Sequence, residues 1–179
     1  MWSRVKLYLK EFDWLLLAAV VLLSVFGLME IYSVALGQGN LDLINFYKQI
    51  LFIVIGLVLL FTFSLIDYRF LKSLRRYLYA FGVLILGAVL VLGSSIRGTR
   101  GWFYIGGFGI QPVELIKIIL LIFLAGYFAD LATHVKTLRH FFISALTAGF
   151  LMFLVLLQPD FGSALMLGVI WLIMVILAG

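Results

Sequence analysis

"LVLLQPDFGSALMLGV", residues 154–169, sets one carboxylate, Asp160, between two long apolar runs, with Pro159 before it and Gly162 after it. The rest of the chain says what solvent those runs meet. Of its 179 residues, 65% are hydrophobic and 12% are charged, and the mean hydropathy is +1.24. Ordinary soluble domains are about half apolar and about a quarter charged. The chain therefore reads as a polytopic membrane protein, and 154–169 as two spans that meet at a polar turn.

A helix crosses the hydrocarbon layer with roughly 20 mostly apolar residues. Six segments qualify, near 14–34, 46–66, 77–92, 113–128, 141–157 and 161–178. Helices are the default because lipid offers no partner to an unpaired backbone group. No strand-length alternating segments argue for a barrel. The expected fold is all-α: one integral membrane domain, residues 1–179, built as a polytopic helical bundle. The first apolar run, from Trp14 to Ile31, is broken only by Ser24, Gly27 and Glu30. It is too long for a signal-peptide core, and no small-x-small cleavage site follows, so it is read as a retained span. There is no cysteine, which excludes disulfides and thiolate metal sites. His134 and His140 alone make a poor metal site.

The formal charge of +5 is explained by topology rather than by nucleic acid, because the cations lie beside the spans. Arg4, Lys6 and Lys10 precede the first span; Arg69, Lys72, Arg75 and Arg76 follow the second; Lys136 and Arg139 follow the fourth. These alternate segments hold nine cations, whereas the others hold three, Lys48, Arg97 and Arg100, with Lys117 inside the fourth span. The positive-inside rule places the N-terminus in the cytoplasm. The link 93–112 and the turn 158–162 then both face outward.

Polar chemistry gathers on that outer side. "SSIRGTRGWFYIGGFGIQPVELIKI", residues 94–118, combines glycines with Trp102, Phe103, Tyr104 and Phe108. It is expected to lie on, or dip into, the membrane interface where aromatics concentrate. A nucleotide-binding P-loop is excluded, since no Gly-Lys-Ser/Thr follows. Pro112 suits the first turn of a helix. Glu114 and Lys117, three apart, share a face and can pair. Ionisable groups at this depth are costly and face a bundle interior or a water-filled cavity. They read either as an ion pair fixing a helix end or as the wall of a substrate cavity. Asp160 likewise reads as a helix cap or as a third member of one outward pocket with Glu114 and Lys117. Gln111-Pro112-x-Glu114 and Gln158-Pro159-Asp160 are loosely alike, and each marks the outer start of a span. Glu30, near the outer end of the first span, reads as a residue that reaches the interface. His134 and His140 read as solvated.

On these motifs the chain resembles the SEDS family of shape, elongation, division and sporulation proteins, whose branches are RodA, FtsW and SpoVE. The resemblance runs along essentially the whole chain. "DWLLL…FGLMEIYS", "RGTRGW…QPVELIKI" and "LLQPDFGSAL" carry it, and "IDYRFLKSL" after the second span leans to the RodA branch. The family's Gln-Pro-Ser-Glu-x-x-Lys motif falls on Gln111, Pro112, Val113, Glu114 and Lys117. Its Gln-Pro-Asp-x-Gly-Thr motif falls on Gln158, Pro159, Asp160, Gly162 and Ser163. Val113 and Ser163 replace the usual Ser and Thr. In the family's Arg-Trp pair the Arg position is Gly101, with Arg100 one residue earlier.

The resemblance implies a peptidoglycan glycosyltransferase that joins lipid II units into glycan strands on the outer face of the bacterial plasma membrane. It implies a class B penicillin-binding protein as partner. Glu114, Lys117, Asp160 and Arg100 would then line or support the substrate pocket. Gln111, Pro112, Gln158, Pro159 and Gly162 would shape the turns. The family has roughly ten spans of this length, against six here. Its usual catalytic aspartate lies in a later outer loop, beyond Gly179. The chain thus looks like an N-terminal portion, with its catalytic residue unassigned. No cofactor is called for; a divalent cation would enter only with the substrate diphosphate. A flippase for the lipid-linked precursor and a non-catalytic scaffold are the alternatives. The outward polar cluster favours chemistry over transport, which places its sites near the midplane.

Overall fold

The computed structural model describes residues 12–37, 43–96, 98–105, 108–131 and 138–179. Six helices among them are long and apolar enough to cross a membrane, and the chain is a polytopic helical membrane protein. They are α1 (Trp14–Gly37), α2 (Ile44–Ser64), α3 (Tyr68–Leu92), α4 (Pro112–Asp130), α5 (Leu138–Leu156) and α6 (Phe161–Ala178). The chain divides into two compact units, Met1–Ile66 and Asp67–Gly179.

The first unit is a helical hairpin. Phe12 stacks on Phe61 with ring centroids 5.5 Å apart, while Tyr32 meets Phe46 at 5.6 Å. The start of α1 thus meets the end of α2, and the end of α1 meets the start of α2, so the helices run antiparallel. Their large apolar side chains are mostly exposed, as expected where the solvent is lipid rather than water.

The second unit is built around α4. Val113, Ile116, Ile119, Leu120, Leu124 and Phe128 are buried along it. Leu86 and Val89 of α3, Ala148, Leu151 and Val155 of α5, and Ala164 and Leu167 of α6 close the core around them. Lipid is as apolar as leucine, so this core is held by close packing and interhelical hydrogen bonds rather than by escape from water. Gly82 lets α3 approach α4: a methyl group there would lie 3.0 Å from Ile116 Cδ1. Between α3 and α5, the Tyr79 hydroxyl donates to the Thr147 carbonyl at 2.9 Å. Between α5 and α6, Trp171 Nε1 donates to the buried Ser144 hydroxyl at 3.2 Å.

One expectation needs correction, and one segment carries structure that was not foreseen. The basic stretch after α2 is not a link: α3 begins at Tyr68, nine residues before the expected 77. Asp67 caps it, accepting from Arg69 N at 2.8 Å, and Lys and Arg are good helix formers. Hydropathy had marked only the part of the helix that lies in hydrocarbon. The segment after α3 is also more ordered than a plain interfacial loop. It forms an antiparallel sheet of β1 (Ser94–Ile96), β2 (Thr99–Ile105) and β3 (Phe108–Ile110), in the order β1-β2-β3. Ile105 pairs with Phe108, and Phe103 with Ile110. A Gly-Gly pair between aromatic and β-branched residues is a hairpin signal. Gly98, at φ 87°, supports the other turn. Three short strands beside six spans leave the fold class unchanged.

Gly82→Leu is expected to wedge α3 from α4 and lower the stability of the detergent-solubilised protein by about 1–3 kcal/mol. Gly87→Leu, where nothing lies within 4 Å, is expected to leave it nearly unchanged. Thermal unfolding of the two variants side by side checks this, and equal effects would refute the packing role of Gly82.

Candidate functional site

The ends of α3 and α5 and the starts of α4 and α6 all lie on the same side as the sheet. Each arrives there for a local reason. Gln111 is the N-cap of α4 and Pro112 its first helical residue, where the missing N–H costs nothing. Gln111 makes no capping bond to its own helix. Its side chain reaches across instead, and Nε2 donates to Asp160 Oδ2 at 2.9 Å.

Asp160 is the N-cap of α6. Its Oδ1 accepts from Ser163 N at 2.9 Å, and its Oδ2 also accepts from the Ser163 hydroxyl at 2.7 Å. The carboxylate thus does two things that the sequence left as alternatives or did not foresee. It caps its own helix, where the dipole favours a negative charge, and it ties α6 to α4. Ser163 keeps the hydroxyl that this arrangement uses. The turn before it is tight: Asp160 N donates to Val155 O at 3.4 Å, and Pro159 between them stands at φ 29°. Gly162 is not sterically required, since its nearest neighbour to an added methyl is Asp160 Oδ1 at 3.8 Å.

The sheet supplies the lid of this junction. Arg100 N donates to the Gln158 carbonyl at 3.2 Å, while the Arg100 side chain is exposed. Gly101 is buried beside it. A methyl group on Gly101 would lie 3.1 Å from Gln158 Oε1 and 3.9 Å from Gln111 Nε2. A glycine is thus what lets both glutamines approach the strand. Gln158 is 1% exposed, and its Nε2 has no hydrogen-bond partner among the described residues. A buried donor left unpaired costs about 1–3 kcal/mol.

Glu114 and Lys117 pair with each other at 2.7 Å, one turn into α4, with Glu114 the more exposed. Among the described residues no hydrogen bond or ion pair joins either to Asp160. The structure therefore brings Gln111, Gly101, Gln158 and Asp160 together and leaves Glu114–Lys117 as a neighbouring pair. Val113 is 1% exposed and packs in the core, which explains an apolar residue there. His140 is not simply solvated: its Nδ1 lies 2.9 Å from the Tyr127 hydroxyl. Arg97, His134 and Lys136 lie outside the described residues, as do Arg4, Lys6 and Lys10.

A family profile for the FtsW/RodA/SpoVE group, described as cell cycle protein, matches residues 13–179. The peptidoglycan glycosyltransferase RodA of Treponema pallidum is 32% identical over 94% of this chain and 39% of its own length. The stage V sporulation protein E of Bacillus subtilis is 28% identical over 93% of this chain and 48% of its own. The crystal structure of the rod shape determining protein RodA of Thermus thermophilus superposes with a TM-score of 0.78 at 32% identity, covering 94% of this chain and 54% of that one. A structure concerned with "coordination of polymerization and crosslinking by a peptidoglycan synthase complex" superposes at 0.75, with 33% identity, over 87% and 44%. The chain thus spans less than half the length of the curated relatives it matches.

Gln111→Ala and Asp160→Ala are each expected to destabilise the protein by about 1–2 kcal/mol. The double variant is expected to lose less than the sum, with a coupling of at least about 0.5 kcal/mol. A thermodynamic cycle by chemical unfolding in detergent measures this, and strict additivity would dissolve the α4–α6 tie.

Proposed function

The chain belongs to the FtsW/RodA/SpoVE family, and from that premise we propose that it forms part of a peptidoglycan glycosyltransferase. The reaction joins lipid II units into glycan strands at the outer face of the bacterial plasma membrane, with the N-terminus in the cytoplasm. The supporting observation is the Gln111–Asp160 hydrogen bond, which gathers two polar motifs at one end of the helices instead of at their middle. The relatives named as peptidoglycan glycosyltransferases add to it.

Glycosyl transfer needs a base for the attacking hydroxyl and positive charge near the leaving diphosphate. Lys117, Arg100 and the N-termini of α4 and α6 supply positive potential in this reading. The Gln158 amide offers a donor to a substrate oxygen. Asp160, with its lone pairs engaged by Ser163 and Gln111, holds the junction rather than taking a proton. The catalytic base remains unassigned among the residues of this chain. A class B penicillin-binding protein, crosslinking the strands, is the proposed partner.

Glu114→Ala, Lys117→Ala and Asp160→Ala, made in the complete gene product, are each expected to cut lipid II polymerisation on the order of 100-fold. Membrane insertion should be intact. Unchanged glycan synthesis by all three would remove the substrate-pocket reading; loss of lipid II translocation alone would favour the flippase.

Basic residues of the N-terminus, if cytoplasmic, are expected to react with an impermeant amine label only in opened membranes. Labelling in intact cells would invert the topology.

A further inference from the structure

The far end of the second unit, away from the sheet, carries a second polar site. There the first turns of α3 and the last turn of α4 border an open cavity of about 650 Å³, lined in part by Arg69, Lys72, Ser73, Arg75, Arg76 and Asp130. We propose that this cavity seats the phosphate headgroup of an anionic membrane phospholipid.

Charge comes first. Four cations face one carboxylate. Asp130 is already taken, by Lys72 Nζ at 2.7 Å and by the Arg75 guanidinium. Arg75 is pinned further, its Nη1 donating to the Gly126 carbonyl at 2.8 Å. The carboxylate of Asp67 caps α3. Arg69 and Arg76 form no salt bridge among the described residues, and both are exposed, although Arg69 shares a side-chain hydrogen bond with Tyr68 and feels the charge of Asp67. They lie two turns apart on α3, with Ser73 between them on the same face. The ion-paired Lys72 and Arg75 form a fixed floor, and the exposed guanidinia of Arg69 and Arg76, outside those salt bridges, offer planar forks suited to phosphate oxygens.

Depth decides what kind of phosphate. With 25 residues, α3 is about 37 Å long, whereas the hydrocarbon layer is about 30 Å thick. The apolar part of the helix begins at Tyr77, so the basic turns before it stand at headgroup level. With the N-terminus in the cytoplasm, as proposed above, a cavity there opens at the leaflet where anionic lipids are concentrated, and basic pockets between membrane helices on that side bind such headgroups. A soluble nucleotide or free phosphate would have no reason to be held at this depth, and an acidic protein segment would compete with the lipid surface itself. The proposal does not rest on glycosyl transfer, because the site lies at the opposite end of α3 from the Asp160 junction. Its failure would leave that reading untouched.

The test is native mass spectrometry of the complete protein released from nanodiscs of phosphatidylglycerol or of phosphatidylcholine. Wild type is expected to retain phosphatidylglycerol several-fold more often than phosphatidylcholine. Arg69→Gln with Arg76→Gln should abolish that preference, and Arg69→Lys with Arg76→Lys should keep most of it. Thermal unfolding in phosphatidylcholine confirms that the variants are folded, and each single Gln variant is measured in case the pair is not. Equal retention of both lipids by wild type would overturn the proposal, as would an unchanged preference in the Gln variants. Displacement of the lipid by millimolar inorganic phosphate, or stronger retention of a polyglutamate peptide, would overturn it in favour of a free anion or an acidic protein.

Discussion

In hydrocarbon, every backbone polar group must find its partner inside the protein, and the places where the chain leaves a helix are therefore the places under most constraint. The turn between α5 and α6 shows how this is met. Pro159 brings no N–H to satisfy. Asp160 sends its own N–H back to Val155 and accepts from the N–H of Ser163. Gln158 gives its carbonyl to Arg100 of the sheet. A turn that begins as an answer to unpaired backbone ends as a junction between α6, α4 and β2. The polar residues of the chain are few, and many of those described hold such junctions.

The same economy divides the second unit into two ends with different chemistry. At the sheet end, a carboxylate is shared among a serine and a glutamine, and a glycine makes room for two amides. Gln111, Gln158, Asp160 and Ser163 are buried or half-buried there, while Arg100 and Glu114 are exposed. At the other end, Asp130 binds two cations while two more stay exposed. The first arrangement ties α6, α4 and β2 together; the second leaves Arg69 and Arg76 facing outward. Between them α4 runs the full distance with a continuous buried stripe from Val113 to Phe128. It fixes both ends relative to each other within this unit. In lipid, that stripe depends on fit more than on hydrophobicity, which is why Gly82 matters as much as Ile116 and Ile119, which it faces.

Six spans, their approximate limits and the motifs at 111–117 and 158–163 were legible in the residues, because apolar length and Gln-Pro turns are local properties. The start of α3 was not: a run of Arg and Lys beside a span reads as a link until Asp67 is seen to cap it. The sheet was missed although "YIGGFGI" contained its hairpin signal, since aromatic residues near a membrane also read as an interface belt. Val113 and Gly101 looked like departures from the family pattern. One packs in the core and the other makes room for Gln158 and Gln111.

Composition and period by themselves determined that this chain lives in a membrane as helices, because transfer of apolar surface is additive along the sequence and needs no partner. They could also say that Asp160 suits a helix start. Only the tertiary structure decided that its second oxygen belongs to Gln111, forty-nine residues away, and that Glu114 and Lys117 answer each other instead of Asp160. Hydrogen bonds and close approaches of that kind depend on distances between elements. Those distances are set by how α3 to α6 pack, and no spacing along the chain encodes them directly.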